Sequence, residues 1–197
     1  MSTGVRVIKL GGSLLEWSAL VPSFRHWLSR QPESVNIVVV GGGLFVDALR
    51  RLNERHTLDD EVAHWLAVRA MGVTAKTFSH LLGDARLLSR LEDLRLSATD
   101  GVQVFDVERF LHEDLASAGA LPCNWDVTSD SIAARISRVL GASELVLLKS
   151  TIPLGPPTFE TWSRSGLVDA YFARAAAGLH VRLVNLRDNE FPQLAAC

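Results

Sequence analysis

Two lysines carry the first chemical signal in this chain. It holds 20 lysine and arginine residues, and only Lys9, Lys76 and Lys149 among them are lysine. Lys9 and Lys149 each close an apolar run, VRVIK and SELVLLK, where a buried strand would stop. A coding bias toward arginine accounts for the arginines but does not place the lysines. Lysine is a compact point charge on a flexible stem, able to follow one oxygen through a reaction, and arginine does not replace it freely there. Gly11, Gly12 and Ser13 come just after Lys9. Two bare residues let backbone approach an anion closely, and Ser13 can donate. A helix starting here would turn its unpaired N–H groups and positive dipole end outward. With Lys9 this makes a phosphate cradle and a charge for a transferring phosphoryl group. The plainer reading is a tight turn with a surface lysine.

Gly41, Gly42 and Gly43 follow the apolar stretch NIVVV. A turn that needs positive φ requires one glycine, not three. The run therefore reads as a second place where a ligand group approaches backbone, as transfer between two bound molecules requires. Asp126, Thr128, Ser129 and Asp130 stand ahead of an alanine-rich segment. Ser129 or Asp130 would cap a helix there. The functional alternative makes Asp130 the carboxylate that orients a catalytic lysine or a magnesium-bound nucleotide, with Thr128 and Ser129 as hydroxyl donors to an acceptor. Asp59, Asp60, Glu61 and His64 crowd the start of a long helical pattern, and Asp60 and His64 share a face by their i,i+4 spacing. They complement the helix dipole or recognise a cationic acceptor group. Trp65, at helical spacing, reads as core, whereas Trp125 beside the Asp-Thr-Ser-Asp loop reads as a platform for a planar ring.

Other chemistries find no footing. GxxxxGK[ST] and GxGxxG are both absent, and Cys123 and Cys197 lack metal or CxxC spacing. A net charge of −2 gives no electrostatic footprint for nucleic acid or an anionic membrane. No apolar run approaches the roughly 18 residues of a membrane span, and MSTGVRVIKL has no secretory pattern, so the expectation is a cytoplasmic protein.

The elements that must position these residues follow from periodicity. Strands are expected at 5–10, 34–40, 101–107, 143–149 and 179–186, nearly continuous in Val, Ile and Leu as in a sheet covered on both faces. Helices are expected at about 18–30, 44–55, 60–82, 108–117, from just after the 126–130 loop to Gly141, and 167–177, with Asp59 or Asp60 starting the third and Gly141 ending the fifth. Residues 152–157, IPLGPP, read as irregular. Strands alternating with helices predict an α/β fold, a three-layer α/β/α sandwich with a mainly parallel central sheet, in one domain of 197 residues. Ligands of such sheets sit beyond the C-terminal strand ends, where the glycine and lysine punctuations fall.

Taken in order, KLGGSL, GGGLFVDALR, TSDSIAA and LLKST resemble the amino acid kinase family, which includes acetylglutamate, aspartate, uridylate and isopentenyl phosphate kinases. The resemblance runs from Val7 to about Thr151, and GLHVRLVN is similar to the family's closing strand. TSDSIAA and LLKST resemble the uridylate branch, whose acceptor is already a phosphate monoester. With DDEVAHWLAVRAM and WDVTSDSIAARI added, the set is similar to the small kinases acting on aminomethylfuran-methyl phosphate in methanofuran synthesis. The resemblance implies a kinase using ATP and Mg²⁺, with an acceptor-side half at about 1–120 and a nucleotide-side half at about 121–197. Lys9 and Asp130 would be catalytic. Gly11, Gly12, Ser13, Lys149, Ser150 and Thr151 would meet the nucleotide. Gly41, Gly42, Gly43, Thr128 and Ser129 would meet the acceptor, to which the residue reading adds Asp60, His64, Trp125 and Asp126. The partners expected are ATP, a small phosphate acceptor and a second copy of the chain, docked through the alanine-rich long helix. No metal-binding residue is expected. A uridylate or carboxylate kinase, or a non-catalytic nucleotide-binding module, is the alternative. The chain departs from the family at IPLGPP, where Asp-Gly-Val-Tyr is usual, and no lysine follows Lys149, so Lys149 itself, Arg164 or the metal must cover a late lysine's role.

Overall fold

The computed structural model describes residues 4–96, 101–153 and 157–196. Its strands are β1 (Val5–Leu10), β2 (Val35–Val40), β3 (Arg86–Leu88), β4 (Val102–Phe105), β5 (Glu144–Lys149), β6 (Val181–Asn185) and β7 (Gln193–Ala196). The helices are α1 (Leu20–Ser29), α2 (Gly43–His56), α3 (Asp60–Leu82), α4 (Leu91–Leu96), α5 (Glu108–Asp114), α6 (Ser129–Leu140), α7 (Phe159–Arg164) and α8 (Phe172–Ala175). The strands form one sheet in the order β3-β4-β2-β1-β5-β6-β7, parallel throughout except for β7.

Period-two alternation divides the core into two layers. Ile8, Leu10, Val38, Val40, Val146 and Leu148 face Leu20, Phe24 and Trp27 of α1 and Phe78 of α3. Val7, Ile37, Val39, Leu145 and Leu147 face the opposite layer, built from α5, α6, α7 and α8 with Val68 and Met71 of α3. The same alternation decides where charge can go. Lys9 shares the face of Val7, and Lys149 that of Leu147, so both turn toward α6.

Several expected elements stand as read. Asp59 caps α3, accepting from the N–H groups of Glu61 and Val62. Gly141 ends α6 in the left-handed region at φ 62°. Others differ for physical reasons. Gly12–Leu14 forms a 3₁₀ turn and α1 begins only at Leu20, so no long helix dipole stands behind the first glycine pair. The helix expected at 167–177 shrinks to α8, because residues 166–169 turn inward to the site described below. β3 and β7 escape a pattern search because they are short edge strands with little burial, and α4 and α7 are single turns and a half. Residues 154–156 of the expected irregular stretch lie outside the described residues.

Candidate active site

The C-terminal ends of β1 and β2 carry the two glycine turns, and these turns pack on each other. A Cβ on Gly12 would stand 2.3 Å from the backbone nitrogen of Gly43, and one on Gly41 would stand 2.9 Å from the nitrogen of Gly12. Gly43 is the member of its run that needs the left-handed region, at φ 54°. Three glycines thus exceed the needs of one turn, and packing supplies a reason beside the expected approach of a ligand. Gly12, Gly41 and Gly43 let two backbones touch, which sets the spacing between the ends of β1 and β2, while a Cβ on Gly42 would run into the Val46 side chain.

Two helix N-termini open on the same place. α2 starts at Gly43 and α6 at Ser129, with Thr128 in the extended N-cap conformation. Both helices are long enough to carry a positive end, although at α6 the N–H groups of Thr128 and Ser131 are held by Asp169. Between them lies a cavity of about 330 Å³. Its wall includes Lys9, Gly12, Ser13, all three glycines of the second turn, His64, Trp125, Thr128, Ser129, Asp130 and Lys149.

The floor of the cavity is a line of three charges. Lys9 Nζ and Lys149 Nζ each lie 2.9 Å from Asp130 Oδ1, and Lys149 Nζ also donates to Asp130 Oδ2 at 2.9 Å. Lys149 Nζ donates once more, to the carbonyl of Leu167 at 2.6 Å. Lys9 and Asp130 are each 4% exposed, so solvent screens little of this charge. Burial alone would push the Asp130 carboxyl up. The Lys149 and Lys9 ammoniums outweigh it and hold the group below the usual carboxylate range. Burial, reinforced by the neighbouring Lys9 cation, depresses Lys149 to about 8 against the pull of Asp130. Asp130 therefore does not cap α6, as a bland reading of its position would have it. It joins two lysines from two strands.

Asp169, from the inward turn after α7, was not legible as a site residue. Its carboxylate lines the same cavity and accepts from four donors: Thr128 N at 3.0 Å, Thr128 Oγ1 at 2.9 Å, Ser131 N at 3.0 Å and Ser131 Oγ. Burial first, and then the charge of Asp130, push its carboxyl up, opposed by the bonds from Ser131 and Thr128. Arg50 and Asp47 of α2 were also missed. They pair with each other at 3.1 Å, line the cavity mouth, and Arg50 lies over the Trp125 ring with its guanidinium 5.6 Å from the centroid.

The remaining expected residues divide. His64 is buried and lines the cavity; burial lowers its pKa, while the Asn124 backbone, accepting from the ring, and Glu61 pull the other way. Asp60, its presumed companion, is exposed in the first turn of α3 and stays outside the cavity wall. Gly11 is also outside it, because its N–H continues the sheet by donating to Leu148 O at 2.8 Å. Ser150 and Thr151 follow Lys149 beyond the wall, with Ser150 Oγ 3.5 Å from Ser13 Oγ. Asp126 is exposed and supplies only backbone, its carbonyl accepting from Tyr171 N. Arg164 is exposed at the end of α7 and does not reach the cavity wall, whereas Lys149 does.

A model described as the amino acid kinase family matches residues 4–151. The chain belongs to the amino acid kinase family. Among curated relatives, the [5-(aminomethyl)furan-3-yl]methyl phosphate kinase of Methanocaldococcus jannaschii is 20% identical over 146 residues, covering 73% of this chain and 64% of that protein. The match thus spans less than two thirds of the relative's length. Among solved structures, the UMP kinase of Ureaplasma parvum superposes with a TM-score of 0.69 at 12% identity, over 96% of this chain and 92% of that one. The aspartate kinase of Synechocystis gives 0.63 at 15% identity, over 98% of this chain and 40% of that one. At these identities the likeness establishes the amino acid kinase fold. Among the described residues no helix is long and apolar enough to cross a membrane.

Proposed function

We propose that this chain transfers the γ-phosphoryl group of ATP to a small phosphate monoester, and that the acceptor is [5-(aminomethyl)furan-3-yl]methyl phosphate, giving the diphosphate. The observation that carries the reading is the Lys9–Asp130–Lys149 line at the floor of a cavity faced by two helix N-termini. Phosphoryl transfer spreads charge over the equatorial oxygens and needs little covalent chemistry from the protein, so catalysis rests on position and fixed positive charge. The acceptor phosphate would sit against the N-terminus of α2 and the Ser129 hydroxyl, since the Thr128 hydroxyl proton is already given to Asp169. Its oxygen attacks the γ-phosphorus as the bond to the β–γ bridging oxygen breaks, and ADP leaves. Lys9 and Lys149 meet the charge that develops. A phosphate oxygen is already ionised near neutrality, so this acceptor needs no base. That fits a site whose central carboxylate is committed to two ammoniums.

The residues present do not build a protein-held Mg²⁺ site. Asp130 is taken by two lysines and Asp169 by four donors, and no metal-holding cluster of His, Cys, Asp or Glu occurs among the described residues. Mg²⁺ in this reading is bound by the nucleotide's phosphates and water, and the steps assigned to this chain's residues do not involve it. A second copy of the chain would dock on α2 and α3, where Phe45, Leu52, Val62 and Val73 are exposed.

The test is a coupled ADP-release assay with Mg-ATP against aminomethylfuran-methyl phosphate, UMP, isopentenyl phosphate and acetylglutamate. Turnover on the furan phosphate alone supports the reading. Turnover on UMP or acetylglutamate moves the chain to another branch of the family. Silence on all four, with ATP still bound, makes it a non-catalytic nucleotide-binding module.

A further inference from the structure

We propose that Asp169 is a positioning residue, which pins the first turn of α6 from outside the helix and thereby aims Asp130 between Lys9 and Lys149. The inference rests on the kinase reading for its kinetic consequences but not for its geometry.

Asp130 is the second residue of α6, and no side chain of the helix's own sequence caps it, since Thr128 makes no capping bond within the helix. The cap comes instead from a residue far along the chain. Asp169 accepts the N–H and hydroxyl of Thr128 and the N–H and hydroxyl of Ser131. These two residues flank the pair Ser129 and Asp130, so the bonds fix the backbone on which the Asp130 side chain stands. A carboxylate taking two helix-terminal N–H groups also satisfies donors that α6 leaves without internal partners.

The same turn reaches the ladder a second way. Leu167, two residues before Asp169, gives its carbonyl to Lys149 Nζ at 2.6 Å. Residues 167 to 169 therefore hold both Asp130, through α6, and Lys149 directly. The burial-driven rise in the Asp169 carboxyl, strengthened by the charge of Asp130, is the electrostatic trace of placing a second carboxylate so near the first. A shift of about 1 Å in a positioned catalytic group can lower a rate about a hundredfold, so the pin is worth testing as part of the catalytic geometry.

Only three lysines occur in the chain, so ε-¹³C-lysine NMR resolves the Lys149 titration without any assumption about activity. Asp169→Ala removes all four acceptor contacts. The expected result is a folded protein in which kcat falls about 30- to 100-fold while KM for donor and acceptor stays within about threefold. Lys149 loses part of its grip on Asp130, so its titration moves below the wild-type value. Asp169→Asn is the rescue: its amide oxygen can take three of the bonds, and its N–H can donate to Ser131 Oγ once that hydroxyl turns to accept. It should recover most of kcat.

Unchanged Lys149 titration and unchanged kcat per folded molecule in Asp169→Ala, with only thermal stability reduced, would leave a structural cap and overturn the proposal. A raised KM with kcat preserved would also overturn it, by making Asp169 a substrate contact. Should Asp169→Ala fail to fold, Ser131→Ala removes a single hydroxyl contact, and the same NMR titration must still move in the same direction. If the wild-type chain transfers no phosphoryl group to any acceptor, the kinase reading fails, but the Lys149 titration still decides whether Asp169 sets the ladder.

Discussion

Two cation–carboxylate–cation triads stand at opposite ends of β1 and β5. At the N-terminal end, Arg6 of β1 and Arg182 of β6 clamp Glu144 of β5. At the C-terminal end, Lys9 of β1 and Lys149 of β5 clamp Asp130. The charge pattern is the same and the chemistry is opposite. Arg6 Nη1 also donates to Asn36 Oδ1 at 3.0 Å and to Pro32 O at 3.2 Å, and Arg182 reaches Gln193 at 3.0 Å. Arginine suits that end because its planar fork satisfies several fixed acceptors and stays charged. The lysine triad faces a cavity, and Lys149 sits at about 8, close to where it can lose its proton. A closed arginine triad ties strands together; an open lysine triad is available to a ligand.

Breaking one member at each end should separate the two roles most sharply. Lys9→Met should lower kcat about a thousandfold or more, the scale on which fixed transition-state charge acts, with acceptor binding retained in a calorimetric titration. Arg6→Met should do the reverse. Leaving Glu144, 16% exposed, with Arg182 as its single cation should cost about 1–3 kcal/mol of stability, read as a lowered denaturant midpoint, while kcat per folded molecule stays near wild type. Undiminished turnover in Lys9→Met would remove Lys9 from the site and end the contrast.

A gentler change makes the lysine end resemble the arginine end. Lys149→Arg keeps the charge but replaces a point donor by a rigid fork, and kcat should fall about a hundredfold. The same variant sharpens a pH prediction. A lysine whose folded pKa is lowered to about 8 from 10.5 loses its charge as pH rises through 8. The kcat/KM profile, which reports the free enzyme, should therefore fall about tenfold per unit above that point. In Lys149→Arg this alkaline limb should vanish, since guanidinium does not titrate in the range. A limb that persists in the arginine variant belongs to another group.

Why one triad was legible in the sequence and the other was not follows from what a strand reveals. Lysines closing the apolar runs of β1 and β5 stand out against an arginine background, and their parity with Val7 and Leu147 fixes the face they share. Asp59 and Gly141 announce helix ends because caps are local chemistry. The arginine triad looks like ordinary surface charge at strand starts; only the pairing of β1, β5 and β6 buries it. Asp169 hides for a similar reason. It lies among helix formers, and its value comes from a turn that folds back onto α6, 38 residues away from Ser131. The glycines were read correctly as too many for a turn, but the contact between the two turns is tertiary and leaves no periodic trace.

The smallest effect lies at the cavity mouth, where charge is again paired but exposed. Asp47 and Arg50 are 60% and 48% exposed in their side chains, so the pair itself contributes little. Arg50 matters through Trp125, whose ring it covers. A cation over an indole face is worth about 0.5–2 kcal/mol depending on desolvation, which corresponds to a change in affinity of up to about 30-fold. In Arg50→Ala the acceptor KM should rise about tenfold, while the KM for ATP and the pH limb set by Lys149 stay put. The mouth would then select the acceptor and the floor would perform the transfer. Equal losses for donor and acceptor in Arg50→Ala would show instead that the mouth serves both, and the division between a selecting rim and a reacting floor would have to be given up.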